Sequence, residues 1–104
     1  MSDIVFTPTT TEAALGTSSG AASNVGSSEF VRLINSADSG TEHLVTLEES
    51  GGTDIGTFTL GGHESVVIRK ASTDKLFAAN AAVLACGVHI VSSAQPKKYS
   101  KSVD

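Results

Sequence analysis

From Glu29 onward the chain alternates between apolar and polar positions. In "EFVRLIN" Arg32 interrupts branched and aromatic residues, which predicts a half-buried strand with Val31 and Leu33 facing inward, ended by the turn-forming "NSADSG". In "EHLVTLEES", Val45 and Leu47 alternate with Thr46 and Glu48, the two-residue period of a strand with one wet face. "GGTD" then turns the chain and "IGTFTL" resumes as a strand. In "ESVVIRK", Val66 and Ile68 share one face while Val67 and Arg69 share the other. The Gly61-Gly62 step between these two runs predicts a hairpin, because glycine tolerates positive φ. "AVLACGVHIVSS" reads as the last strand, its small residues Ala85, Cys86 and Gly87 admitting close approach by another backbone or a bulky side chain.

Two stretches depart from this period. "STDKLFAANAAV" predicts one short helical turn, with Ser72 or Thr73 as the cap and alanines favouring helix. Ile4 to Thr7 is a short β-type run, made an edge by Pro8, which has no N–H for a further ladder bond. Together with the turns, the runs amount to five or six strands at intervals of about ten to fifteen residues, the signature of an all-β fold: a small antiparallel β-sandwich or barrel-like domain.

Residues Thr9 to Ser28, "TTTEAALGTSSGAASNVGSS", hold few large apolar groups and do not offset the ordering entropy of a core segment. They predict a flexible N-terminal arm. The domain plan is therefore an extended arm over 1–28, a β-sandwich over 29–95 and a C-terminal tail over 96–104. A flexible linker of that length has a root-mean-square span of roughly 25 Å, enough to reach an adjacent subunit. The extended run at its head, Ile4, Val5, Phe6 and Thr7, is suited to adding to a neighbour's exposed sheet edge. The tail, with Lys97, Lys98 and Tyr99, is the second candidate for partner binding.

Composition narrows the classes. At 104 residues there is room for one small domain. With aromatics at 5% and no Trp, its core must be built mostly from aliphatic side chains. A formal net charge of -4 offers no basic field for a phosphate backbone, so nucleic acid is not an expected partner. "MSDIVFTPTT" has neither a charged n-region nor a long apolar stretch, and no run of eighteen apolar residues occurs, so neither secretion nor membrane insertion is expected. Cys86 is the single cysteine, which excludes an intramolecular disulfide, and its apolar setting predicts a buried, unreactive thiol.

No catalytic pattern emerges. His43, His63 and His89 lack the paired spacing of a zinc site, and no cofactor is expected. His63 and Glu64 are neighbours, and neighbours on a strand point to opposite faces, so the polar corner needs no reaction to explain it. Cys86 and His89, three apart, also face opposite sides of a strand. "GTSSG" lacks the strand and helix that flank a serine elbow, "ESGGTDIG" lacks the lysine of a phosphate loop, and "DSGTE" lacks calcium-ligand spacing. Asp38, Glu42, Glu48, Glu49 and Asp54 are expected to gather near the loop ends of two neighbouring strands, as a solvated rim or an acceptor for a basic partner tail.

The block "GTFTLGGHESVVIRKASTDKLFAA", preceded by "EFVRLINSADSGTEHLVTLEES", resembles small structural proteins of tailed-bacteriophage particles. The resemblance covers Glu29 to about Ser92, is one of layout and local wording, and carries over no functional residues. It implies a compact β-sandwich without enzymatic activity, present in many copies on a symmetric particle or as a homo-oligomer. The implied partner is the major capsid protein or another virion subunit, and the implied location is the capsid surface of the virion, after synthesis in the host cytoplasm. A capsid decoration (cement) protein is the leading expectation, and a head-tail junction or tail subunit is the alternative. A ligand- or glycan-binding module, using loops around Asp38, Asp54 and His63, is disfavoured because Tyr99 is the lone Tyr and Trp is absent.

Overall fold

The computed structural model describes residues 5–92. Its strands are β1 (Val5–Pro8), β2 (Ala13–Ala14), β3 (Phe30–Asn35), β4 (His43–Glu48), β5 (Asp54–Leu60), β6 (Ser65–Arg69), β7 (Lys75–Ala78) and β8 (Val83–Ser92). They form two antiparallel sheets. One runs β1-β8-β3-β6, with β2 also on the outer edge of β8, and the other runs β5-β4-β7. The chain is all-β, as the alternation predicts.

The core lies between the sheets. Val31 and Leu33 of β3 and Val83 and Ala85 of β8 meet Val45 of β4, Leu60 of β5, and Leu76 and Ala78 of β7. These positions alternate along each strand because successive side chains point to opposite faces. Buried Asn35 ties one sheet to the other: its Nδ2 donates to the carbonyls of Thr41 and Leu60, both at 2.9 Å, and its Oδ1 accepts the Ala37 N–H at 3.0 Å.

The largest correction concerns the expected arm. Residues 5–28 are laid along the domain. β1 and β2 pair one after the other with the outer edge of β8, Phe6 opposite Ile90 and Ala14 opposite Leu84. Between them the Thr9 N–H donates to the Gly87 carbonyl and the Gly87 N–H donates to the Thr10 hydroxyl, each at 2.8 Å. The chain then crosses to the second sheet, where Ser23 and Leu76 exchange two backbone bonds and the Ala78 N–H donates to the Gly16 carbonyl. The 3-10 turn Ser19–Ala21 sits on this crossing, and the Ser19 hydroxyl is within hydrogen-bond reach of both carboxylate oxygens of Glu48, at 2.9 and 3.1 Å. The segment thus laces the edges of β8 and β7 together. Its average composition is poor in apolar bulk, yet Leu15 and Val25 are both buried in the core, each side chain contributing about 1.5–3 kcal/mol. Small residues elsewhere let the backbone lie flat against the edges whose polar groups it satisfies.

Three local expectations also change. The Gly61–Glu64 bend is no hairpin: among the described residues β5 pairs only with β4 and β6 only with β3, so the bend carries the chain from one sheet to the other. Phe58 and Leu60 face the core from one sheet, and Val66 and Ile68 from the other. "KLFA" is strand β7 and not a helical turn, because Leu76 and Ala78 gain core contacts that outweigh alanine's helix preference. The face of β4 opposite Val45 is wet only at Leu44, since Thr46 and Glu48 are both buried.

Candidate functional site

Of the residues singled out for partner binding, Ile4, Lys97, Lys98 and Tyr99 lie outside the described residues. Val5, Phe6 and Thr7 form β1, whose strand partner is the chain's own β8. The sheet edge that this run joins is the chain's own and not a neighbour's.

That pairing builds a projecting feature. β3 pairs with β8 only from Val83 to Val88, whereas β1 continues alongside β8 out to Ser92. Beyond Val88 the two strands extend as a ribbon, past the point where Phe30 begins β3 and Arg69 ends β6. Phe6 and Ile90 share one face of it, half-buried. Val5 and Val91 are 49% and 58% exposed, among the most exposed large apolar side chains described. Val5 pairs with Ser92, so the chain enters and leaves the described structure at the tip of the same ribbon. A two-stranded ribbon is marginal by itself in water. This one combines apolar side chains with an edge of β8 along residues 89–92 that no described strand pairs.

The residues with chemical potential are placed structurally. The Gly61–Glu64 corner is a hydrogen-bonded turn in which the Glu64 N–H donates to the Gly61 carbonyl at 2.9 Å and Glu64 Oε1 accepts the Gly61 N–H at 2.7 Å. His63 holds φ 62 at its third position, a conformation in which His is over-represented among non-glycine residues, and its N–H donates to the Asn35 carbonyl at 2.7 Å. Gly62 is needed for space, since a Cβ there would meet the Asp38 carbonyl. Cys86 is buried on the outer face of the larger sheet, and burial pushes its thiol pKa up, with the carboxylate of Glu12 adding to the effect and Arg32 opposing it. Lys70 is also buried; desolvation lowers its pKa and the charge of Asp74 works against that.

The expected acidic gathering is split. Glu42 precedes β4 and Asp38 packs at the Gly62 corner, whereas Glu48, Glu49 and Asp54 lie at the opposite end of the β4–β5 hairpin. The length of β4 separates the two groups because the "NSADSG" and "GGTD" turns sit at opposite ends of that strand. Among the described residues no group of three or more His, Cys, Asp and Glu is placed to hold a metal ion. A crevice of about 230 Å³ lies beside the lacing segment, lined by residues including Thr10, Leu15, Ser23 and Val25. The Thr10 and Ser23 hydroxyls are already engaged, accepting the backbone N–H groups of Gly87 and Val25.

Ile90 and Val91 were not among the residues the sequence singled out, although "HIVSS" continues the apolar run beyond the reach of any paired core strand. Only the register shows that β3 stops short of them. No family model, no curated protein and no solved structure matches the chain.

Proposed function

We propose that the protein is a non-enzymatic virion structural protein of a tailed phage, a capsid decoration protein that binds the major capsid protein lattice and stabilises the shell. The observation that carries this reading is the ribbon: an apolar two-stranded projection with exposed Val5 and Val91. Such an element is suited to attachment, because a neighbouring strand that adds to the free edge of β8 gains main-chain bonds while Val5 and Val91 leave water. Each contact is small. Many copies on one symmetric lattice make repeated weak engagements effective through local concentration.

The test is particle occupancy. Val5→Asp and Val91→Asp, together with a chain ending at Ser92, should reduce binding to particles while leaving the unfolding midpoint in place, and full occupancy by all three would refute the reading. Deleting residues 1–28 is the wrong test, since it also removes Leu15 and Val25 from the core. The outer edges of β5 and β6, unpaired among the described residues, favour a second reading, a neck or tail ring assembled edge to edge. Copy number decides between them, with roughly hundreds expected on a shell and roughly a dozen or fewer at a junction.

A further inference from the structure

The chain covers one side of its own sandwich: residues 5–28 pair with the edge of β8 and then with that of β7. On the other side the edges of β5 and β6 have no further strand beside them among the described residues. These two edges are not alike. β6 ends in the cation of Arg69, whereas Ile55 to Leu60 of β5 holds neither charge nor proline, the devices that keep an exposed edge from pairing. The register irregularity in β5 falls at its start, beside Asp54, and Gly56 to Leu60 keep regular step with β4. The interior is also incompletely closed on this side. Phe58, Val66 and Ile68 pack against the core yet are only half-buried, and a Cβ built on Gly56 would meet nothing within 4 Å.

We infer that β5 is a strand-pairing edge whose occupant is β5 of a second copy of this chain, the two running antiparallel about a two-fold axis at Thr57. In that register the strand is its own complement. Gly56 falls opposite the second copy's Phe58, and both positions lie on the core side of the sheet, where Gly56 pairs with Leu47 and Phe58 with Val45. Each Phe58 ring then covers the backbone that the facing glycine leaves bare and fills the open space beside it. The two-fold axis makes this contact twice. Thr57 meets its own counterpart, a favourable cross-strand pair, and exposed Ile55 comes against the second copy's Thr59.

Charge agrees with the antiparallel arrangement. Residues 5–92 hold nine of the chain's eleven carboxylates, all but Asp3 and Asp104, and four of its seven cations, all but Lys97, Lys98 and Lys101, so copies repel wherever acid meets acid. Here Asp54 faces the second copy's Leu60, and the two Asp54 residues stand about 20 Å apart at roughly 3.4 Å per residue, beyond the ~8 Å screening length. The pairing also closes, because it uses each β5 edge once; β5 laid on another copy's β6 would leave an edge at either end and propagate. The contact is short. Five paired residues make about 17 Å of edge, which belongs to the weak class below ~1,200 Å² in total, with a Kd on the order of 100 µM.

Sedimentation equilibrium of the full chain from about 10 µM to about 1 mM brackets that value. Wild type should pass from monomer to dimer and go no further. Thr57→Lys, at an exposed position, sets like charges opposite each other and should weaken association at least about tenfold, as should Thr57→Asp. An equimolar mixture of the two should recover the wild-type affinity to within about threefold, because Lys then faces Asp. Gly56→Lys meets no neighbour within one copy, so it should keep the unfolding midpoint and lose the dimer; it replaces Thr57→Lys if that variant loses its unfolding transition. Val91→Asp, on the ribbon, should dimerise as wild type does, which separates this contact from particle attachment. A wild type still monomeric at about 1 mM overturns the inference. So does a dimer indifferent to Thr57→Lys and Gly56→Lys, a mixture of the Thr57 variants that stays monomeric, or a dimer abolished by Val91→Asp.

Discussion

Replacing Gly87 by alanine separates a laced segment from a loose one. Gly87 lies in β8 opposite Val31, where the chain between β1 and β2 crosses it. A Cβ built there meets the Ser28 hydroxyl, and comes within 2.9 Å of Ser28 Cβ and 3.0 Å of Thr9 Oγ1. Ser28 has little room to yield, because its hydroxyl donates to the Val25 carbonyl at 2.6 Å. Residues 9–10 and 28 must therefore retreat. That strains or breaks the bond from Thr9 N–H to Gly87 and the bond from Gly87 N–H to Thr10. Two hydrogen bonds at about 1 kcal/mol each, with overpacking of about 1–3 kcal/mol, come to at least roughly 3 kcal/mol of lost stability. In a domain of this size that lowers the melting temperature by roughly 15 °C.

Urea unfolding of Gly87→Ala, Ser28→Gly and the double variant provides the measurement. In the double variant the Ser28 contacts are gone, so the two substitutions should couple by at least about 1 kcal/mol. If residues 9–28 were a free arm, nothing would crowd the new methyl. Alanine would then be neutral or stabilising by about 0.5–1 kcal/mol, since glycine weakens a strand interior. A loss below about 0.5 kcal/mol, or additive behaviour in the double variant, would refute the lacing.

Asn35→Ala should cost about 3 kcal/mol in the same assay, because it strands the carbonyls of Thr41 and Leu60 and the Ala37 N–H. His63→Gly should stabilise by up to about 1 kcal/mol by relieving the positive φ, whereas His63→Val should destabilise by at least as much; equal melting temperatures would count against strain at that corner. Lys70 has a folded pKa below its unfolded value, so the unfolded chain binds more protons between the two and stability rises with pH there. Below both values the penalty is complete, so Lys70→Met should raise the unfolding midpoint at pH 7. Cys86 works the other way: its raised pKa favours the fold below the unfolded thiol's value, and that contribution is lost as pH climbs through the folded one. Alkylation at pH 8 should run far more slowly than for the urea-unfolded chain.

The parts of the fold legible in the sequence are those whose alternation is regular and whose partners are near in the chain. Val31 and Leu33 face the core as their spacing requires, and "GGTD" closes the β4–β5 hairpin because both strands lie in one sheet. "TLGGHES" looked the same locally but joins strands of different sheets, a distinction set by Asn35 and the Asp38 loop, both distant from the bend in sequence. "KLFA" has only four strand residues, too few for its period to compete with the alanines around it. For the segment before Glu29, composition misled because an average over small polar residues hides Leu15 and Val25, whose burial depends on edges supplied by β8 and β7 much later in the chain.

The candidate attachment site was half legible for the same reason. Val5 and Phe6 stand out in the sequence because an apolar run before a polar segment needs a purpose, and pairing with β8 supplies one. That pairing does not exhaust them. Had β1 served only to cover the edge of β8, it would stop at Val88, where β3 also stops; instead β1 and β8 run on together to Val5 and Ser92 with no core beneath them. Leaving Val5 and Val91 in water gains the isolated protein little burial, while ordering the ribbon costs it conformational entropy. A partner that covers them recovers the loss. Binding should therefore raise hydrogen-exchange protection most steeply in the amides of residues 89–92, whose β3-side edge is otherwise open, and least in Val31 and Leu33, which the core already protects. Unchanged exchange along the ribbon in a particle-bound protein would move the attachment surface elsewhere.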